Sequence, residues 1–265
     1  MPKLFAWLQY LLPKHLLSRV VGLVASTRVY WIKHLFITTF AKAYNINLDE
    51  ARIKDFDAFP TFNDFFTREL EPDARPISGQ ICSPADGVVS ACGEICDGQL
   101  IQAKGHTYYV DEFLAKAPQC AASFITIYLA PSDYHRVHFA TSGELRSATY
   151  IPGDLFSVNQ ATTEHVPGLF ARNERLVAEL ELEGTQWYEV MVGAMIVAGI
   201  QPSWCEAMHP VRQANTETFT DFHVDAGDEM GRFQLGSTVV LVLPEKVSWQ
   251  VRAGDTVRMG QTLVA

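Results

Sequence analysis

The sequence predicts an α+β protein: N-terminal amphipathic helices, then a mainly antiparallel β barrel or sandwich with a barrel-sandwich-like hairpin at the C-terminus. Three observations predict it. Apolar residues recur at spacings of three and four through the first 45 positions, the period of a helix face. From Ile81 onward, short β-branched and aromatic runs follow one another, separated by turn signals such as Pro152-Gly153-Asp154 and Asp225-Ala226-Gly227-Asp228. Later helices are expected only around Val110–Lys116 and Leu155–Gln160, too few to cover a parallel sheet.

Three helical segments open the chain. Leu4, Trp7, Leu8, Leu11 and Leu12 form the first apolar face, and Leu16, Leu17, Val20, Val21 and Val24 the second. Tyr30-Trp31-Ile32, Leu35, Phe36 and Phe40 form the third. Pro13 separates the first two, because proline is tolerated near a helix start but not inside it. Residues 1–48 contain Lys3, Lys14, Arg19, Arg28, Lys33 and Lys42 and no acid. With −9 overall, this segment carries +6 and the remainder −15. No apolar run reaches the ~20 residues of a spanning helix, and no short apolar core precedes a small-residue cleavage site as in a secretory signal. Basic amphipathic helices with aromatic and leucine faces suit the interface of an anionic membrane, with Trp7, Trp31 and Phe36 as anchors. A helical cap on the protein's own core is the alternative, and a transit peptide ranks third. Residues 1–48 are therefore read as a membrane-association segment and 49–265 as the catalytic domain.

Hydrophobic content of 48% and charged content of 19% describe an ordinary folded chain, and the acidic balance argues against nucleic acid as a partner. The five cysteines (Cys82, Cys92, Cys96, Cys120 and Cys205) are scattered and odd in number, which suits reduced thiols. Cys92 and Cys96 lack a second close pair, so no metal is expected there.

Past Asn45, residues 49–70 read as helix and loop and contain Phe62-Asn63-Asp64-Phe65-Phe66 ahead of Arg68. The β runs include 87–90, 124–129, 188–192 and 238–243. Three constellations have chemistry-bearing side chains. In Ser83-Pro84-Ala85-Asp86-Gly87, Asp86 is either a turn former or a functional carboxylate. In Pro131–His138, His135 and His138 share a face in a helical turn and take opposite faces in a strand. In Gly231–Thr238, Gly236 before Ser237 leaves the peptide carbonyl unobstructed, although Gly-Ser alone more often marks a turn or bulge. Together they offer the hydroxyl, imidazole and carboxylate of an activated nucleophile, without the flanking glycines of a hydrolase elbow.

The motifs P-A-D-G at 84–87, D-Y-H-R-V-H at 133–138, P-G-D-L-F-S-V-N at 152–159, L-F-A-R-N-E-R at 169–175 and G-R-F-Q-L-G-S-T at 231–238 resemble the bacterial, membrane-associated phosphatidylserine decarboxylases. The basic start and F-N-D-F-F-T-R at 62–68 extend the likeness over nearly the whole chain. Phe139 after the histidine pair and a C-terminus soon after Gln261 are departures from it. The resemblance implies self-cleavage between Gly236 and Ser237, giving a β chain of 1–236 and an α chain of 237–265. It implies that His138 deprotonates Ser237, that Asp86 holds His138, and that Ser237 becomes a covalent pyruvoyl group, the pyruvate-derived cofactor. That group would form a Schiff base with phosphatidylserine and yield phosphatidylethanolamine and CO2. His135 is the candidate for contacting the substrate carboxylate or donating a proton. No metal is implied. A peripheral position on the cytoplasmic face of the bacterial inner membrane follows, with oligomeric state open and a homo-oligomer possible.

Two rivals remain at this point. Val251–Gln261 resembles the hairpin of biotinyl and lipoyl carriers and of sugar-phosphotransfer barrels, but no lysine sits between methionines at its tip. A metal-dependent hydrolase using Asp86, His135 and His138 is the other. Neither accounts for the basic start.

Overall fold

The computed structural model describes residues 2–265 apart from residues 104, 196–198, 206–212 and 235–236. The three periodic segments form α1 (Pro2–Leu11), α2 (Lys14–Ala25) and α3 (Tyr30–Ala43), and Pro13 precedes the first residue of α2. The axes of α2 and α3 are bent by 111° at the break between them, and among the described residues no single helix is long and apolar enough to cross a membrane. A 3-10 turn, Phe56–Ala58, leads to α4 (Phe62–Phe66). Thr61 caps α4 by accepting a hydrogen bond from the Asp64 N–H, which satisfies one of the amides a helix start leaves free.

One side of the helical segment packs on the protein itself. Phe36 and Phe40 of α3 meet Phe62 at 4.3 and 5.0 Å between ring centroids, in a cluster with Phe59, Phe65 and Phe66. Phe36 is thus partly buried against this core, unlike the exposed Trp7 and Trp31. Gln9 of α1 donates to the Ser157 hydroxyl at 2.9 Å and accepts from the Ser157 N–H at 3.0 Å. The opposite side is apolar and exposed: Leu11, Leu23 and Trp31 are 83%, 75% and 69% accessible. In α2 the usual order is inverted. Its buried stripe is Lys14, Ser18, Gly22 and Ala25, and its leucines and valines face outward.

The strands are, in chain order, β1 (Ile81–Cys82), β2 (Gly87–Glu94), β3 (Gln99–Ala103), β4 (His106–Tyr109), β5 (Ser123–Leu129), β6 (Arg136–His138), β7 (Gly143–Ile151) and β8 (Arg175–Leu182). They continue with β9 (Thr185–Gly193), β10 (Ile200–Pro202), β11 (Asn215–Thr218), β12 (His223–Val224), β13 (Glu229–Phe233), β14 (Ser237–Leu243), β15 (Thr256–Val257) and β16 (Thr262–Val264). Short helices α5 (Val110–Leu114), α6 (Gln160–Thr163) and α7 (Leu169–Arg172) lie among them. The helix expected over 155–160 begins only at Gln160. Asn159 caps it through Thr162 N–H, while the Phe156 N–H is held outside it by the Asn173 side chain.

The main sheet is antiparallel, ordered β11-β7-β8-β9-β14-β5-β2-β15, with β12 also on β7. It is an open path whose end strands β11 and β15 do not pair, so the barrel does not close among the described residues. The expected C-terminal hairpin does not form either. β15 pairs with β2 and β16 with β1, because β1 and β2 present free edges and Gly260, at φ +84°, turns the chain between them. Both faces of the main sheet are buried. Val239, Leu241 and Leu243 of β14 enter one core with Val137, Ile200, Met230 and Phe233 of the small sheet β10-β13-β6. Val240 and Val242 enter the other, under Phe113 and Phe170 of α5 and α7. Burial on both faces explains why residues 238–243 read as an unbroken apolar run.

Candidate active site

The segment from Leu129 to His138 joins the two sheets. The Asp133 carboxylate accepts from the Ala130 N–H at 2.7 Å, and the Asp133 N–H donates to the Ala130 carbonyl at 2.9 Å, closing a turn. This turn drives His135 inward. Its ring lies 4.0 Å from that of Phe66 on α4, and its Nδ1 donates to the Asp133 carbonyl at 2.8 Å. Because a carbonyl only accepts, the Nδ1 has the proton and the Nε2 a lone pair. That Nε2 is buried and without a partner among the described residues. Burial, reinforced by the Arg68 charge, pushes the His135 pKa down to about 3, so the ring is neutral.

His138 lies on β6 opposite Glu229 of β13. Its Nδ1 donates to the Gly227 carbonyl at 2.7 Å, and its Nε2 accepts from the Tyr134 hydroxyl at 2.9 Å. Burial lowers this pKa too. The His138 N–H donates to the Pro84 carbonyl at 2.8 Å, which docks the 83–87 turn against β6. Asp86, in that turn, accepts from Arg75 Nη2 at 2.6 Å, from Arg75 Nε at 3.1 Å and from the Met259 N–H at 2.8 Å. The carboxylate of Asp86 is therefore bonded to Arg75, and no hydrogen bond joins it to His138.

Ser237 opens β14, fully buried between Leu129 of β5 and Gly193 of β9. Its Oγ has no hydrogen-bond partner among the described residues. Gly236, the other half of the expected cleavage site, lies outside the described residues. The Phe233 N–H donates to the His135 carbonyl at 3.0 Å. Residues 129–135 thus share one end of the sheet with Phe233 and Ser237, tied at Leu129–Ser237 and at His135–Phe233. Two unpartnered buried atoms, Ser237 Oγ and His135 Nε2, belong to these segments.

A family model described as phosphatidylserine decarboxylase matches residues 62–265, and a second, described as PSD, matches residues 4–45. The chain belongs to the phosphatidylserine decarboxylase family. A phosphatidylserine decarboxylase proenzyme of Pseudomonas putida is 48% identical over 281 residues, covering 99% of this chain and 98% of that protein. Those of Saccharophagus degradans (48% identical, 98% of this chain, 96% of that one) and Ectopseudomonas mendocina (46% identical, 98% and 97%) are similar to it over the same extent.

Several residues around this decarboxylase-family site were not given a role by sequence reasoning. Tyr134 lies within the quoted D-Y-H-R-V-H motif, yet only its bond to His138 reveals a part for it. Arg75, the partner of Asp86, has no local signal because the pairing needs the folded chain. Glu174, in the 169–175 motif, is buried with its Oε2 accepting from the Tyr150 hydroxyl at 3.0 Å, and burial raises its pKa. A Cβ on Gly193 would come within 2.9 Å of the Glu174 side chain, so a larger residue across from Ser237 would have to displace Glu174. Two cavities flank Tyr134. One, of about 380 Å³, is lined by Arg136, His138, Gly227 and Glu229; the other, of about 200 Å³, by Asn47, Arg68, Arg75, Asp86 and Asp133. Among the described residues, no group of three or more His, Cys, Asp or Glu side chains is disposed to hold a metal. The five cysteines are free thiols, and burial pushes that of Cys82 to about 12.

Proposed function

We propose that this chain is a phosphatidylserine decarboxylase precursor that cuts itself between Gly236 and Ser237 and then makes phosphatidylethanolamine and CO2 from phosphatidylserine. The observation that carries the reading is Ser237 itself. It is a fully buried hydroxyl with no hydrogen-bond partner among the described residues, at a sheet end shared with a neutral imidazole whose Nε2 is likewise unpartnered among them. A buried polar atom left unpaired costs stability, about 1–3 kcal/mol, and such a cost fits a reacting atom better than a structural one.

The cleavage chemistry uses the chain's own groups. His138, neutral by burial, takes the Ser237 hydroxyl proton at Nε2 once the Tyr134 hydroxyl gives way. Asp86 acts as the orienting carboxylate; since Arg75 holds it, this role requires Arg75 to share or release it. Ser237 Oγ attacks the Gly236 carbonyl carbon, the peptide C–N bond breaks and the Ser237 nitrogen becomes an amine. Loss of the Ser237 Cα proton expels the Gly236 carboxylate from Cβ, leaving a dehydroalanine at 237. Water then displaces ammonia and leaves a pyruvoyl group, with 1–236 as β chain and 237–265 as α chain. The two unpartnered atoms at the sheet end fit a group built from Ser237 there. When present, that group supplies a carbonyl for the substrate amine and a sink for the electrons left by CO2.

His135 serves the second reaction. The substrate ammonium must shed protons before its nitrogen can react, and His135 Nε2, a buried lone pair, can accept a hydrogen bond from it; a proton received there would be given up readily at Cα, because burial weakens this imidazole as a base. Residues 1–48 serve as the membrane-association segment and 49–265 as the catalytic domain. The exposed apolar side of α1–α3, with Lys3, Arg19, Arg28 and Lys42 also exposed, supports peripheral binding to the anionic cytoplasmic face of the inner membrane. The test is conversion of phosphatidylserine vesicles to phosphatidylethanolamine by purified protein beside Ser237→Ala. The wild type should release CO2 and the variant none; equal turnover would remove Ser237 from the reaction.

A further inference from the structure

Arg68 follows α4 and turns back beneath the His135 loop. It is 8% exposed, its Nη2 donates to the Ser132 carbonyl at 3.3 Å, and its Nη1 is buried with no partner among the described residues. Among the described residues, no carboxylate lies within ion-pair distance of it. Other buried arginines are matched. Arg75 pairs with Asp86 and Glu50, and Arg175 donates to the carbonyls of Phe113, Ala171, Asn173 and Glu112. A guanidinium stays charged, and a buried charge without a counter-charge is unfavourable unless something supplies one.

Arg68 lines the cavity of about 200 Å³ beside the His135 turn. The acids in that wall are already engaged. Asp86 is held by Arg75, Glu50 by Arg75 and Arg258, and Asp133 by the Ala130 N–H and the Ser132 hydroxyl. Asn45, Ile46 and Asn47, just past α3, form another wall. The cavity therefore lies at the seam between the helical segment with the exposed apolar side and the loop bearing His135.

We propose that Arg68 holds the phosphodiester of the substrate headgroup. The proposal rests on the decarboxylase reading and adds the residue that fixes the headgroup. Of the substrate's two anionic groups, the carboxylate is the poorer match. A guanidinium bound to it would stabilise the charge that must leave as CO2 and so raise the barrier. The phosphodiester keeps its charge throughout, so binding it positions the serine moiety without opposing the chemistry. The planar fork of arginine matches phosphate oxygens as well as it matches carboxylates.

The test compares full-length wild type, Arg68→Ala and Arg68→Lys on phosphatidylserine and on a phosphate-free O-alkyl serine in the same detergent micelles. Release of the 29-residue fragment under denaturing conditions reports that each variant has folded and cut itself. Loss of one charge-assisted anion contact should raise the phosphatidylserine KM of R68A by about 10- to 100-fold, with a much smaller change in kcat. R68K should recover part of it, and R68A should lose most of the wild type's preference for the phosphodiester substrate. Equal losses on both substrates, a preference left intact, or failure of both variants to release the fragment would each overturn the proposal. A wild type that releases the fragment but turns over neither substrate would overturn the decarboxylase reading, and this proposal with it.

Discussion

At residue scale, the two histidines of D-Y-H-R-V-H have different surroundings. His138 is bonded at both nitrogens, whereas His135 is bonded at one. This asymmetry predicts that His135→Ala still releases the 29-residue fragment yet decarboxylates at least about 100-fold more slowly, the scale of general acid–base catalysis. Equal loss of both activities would refute the division. Glu189 offers a pH test of the core. Its Oε2 accepts from the Ala140 N–H at 3.1 Å, its Oε1 is buried without a partner among the described residues, and burial raises its pKa to about 8. The unfolded chain releases this proton near pH ~4.3. Between those values the native state binds more protons, so stability falls as pH rises, by at most about 1.4 kcal/mol per unit. Glu189→Gln removes that slope. In an uncut Ser237→Ala background its Tm should match that of the background near pH 4 and exceed it increasingly up to pH 8; a pH-independent difference would contradict the buried, protonated carboxyl. The side-chain types of the candidate site were legible in the sequence. Their partners were not, because Arg75–Asp86 and Tyr134–His138 depend on how distant segments and a tight turn are folded together.

At element scale, the sequence allowed either a membrane-facing segment or a cap on the core, and α1–α3 have both kinds of surface. Their periodicity was readable, and the three helices fall where it indicated. Which side would be buried was not, since the buried stripe of α2 is built from Lys14, Ser18, Gly22 and Ala25 rather than from its leucines. Because α3 contributes Ile37 and Ala41 to the phenylalanine core, deleting 1–45 would damage packing as well as binding. A cleaner test is Leu11→Ser, Leu23→Ser and Trp31→Ser together, all on the exposed side. Each should cost on the order of 1–2 kcal/mol of transfer to the interface, so binding to anionic vesicles should fall at least 100-fold with Tm nearly unchanged. Unaltered binding would leave the helices with a packing role only. The strands β7 and β8 have weaker sequence signals because polar residues interrupt their apolar runs, whereas β5 and β14, buried on both faces, read as unbroken ones.

At the scale of the molecule, Ser237 begins a strand held on both edges, by β5 and by β9. A cut before it would leave residues 237–265 woven into the sheet, with β15 on β2 and β16 on β1. The fragment should therefore stay with the larger chain until the fold is denatured. The antiparallel architecture was legible from its strand runs and turns, but closure was not, because it depends on whether short edge strands meet. The most direct measurement is the mass of the chains, separated under denaturing conditions, from purified protein that is turning over phosphatidylserine. The account predicts a 236-residue chain and a 29-residue chain whose first residue is a pyruvoyl group in place of Ser237. A single 265-residue chain with an unmodified Ser237 in the active preparation would contradict it.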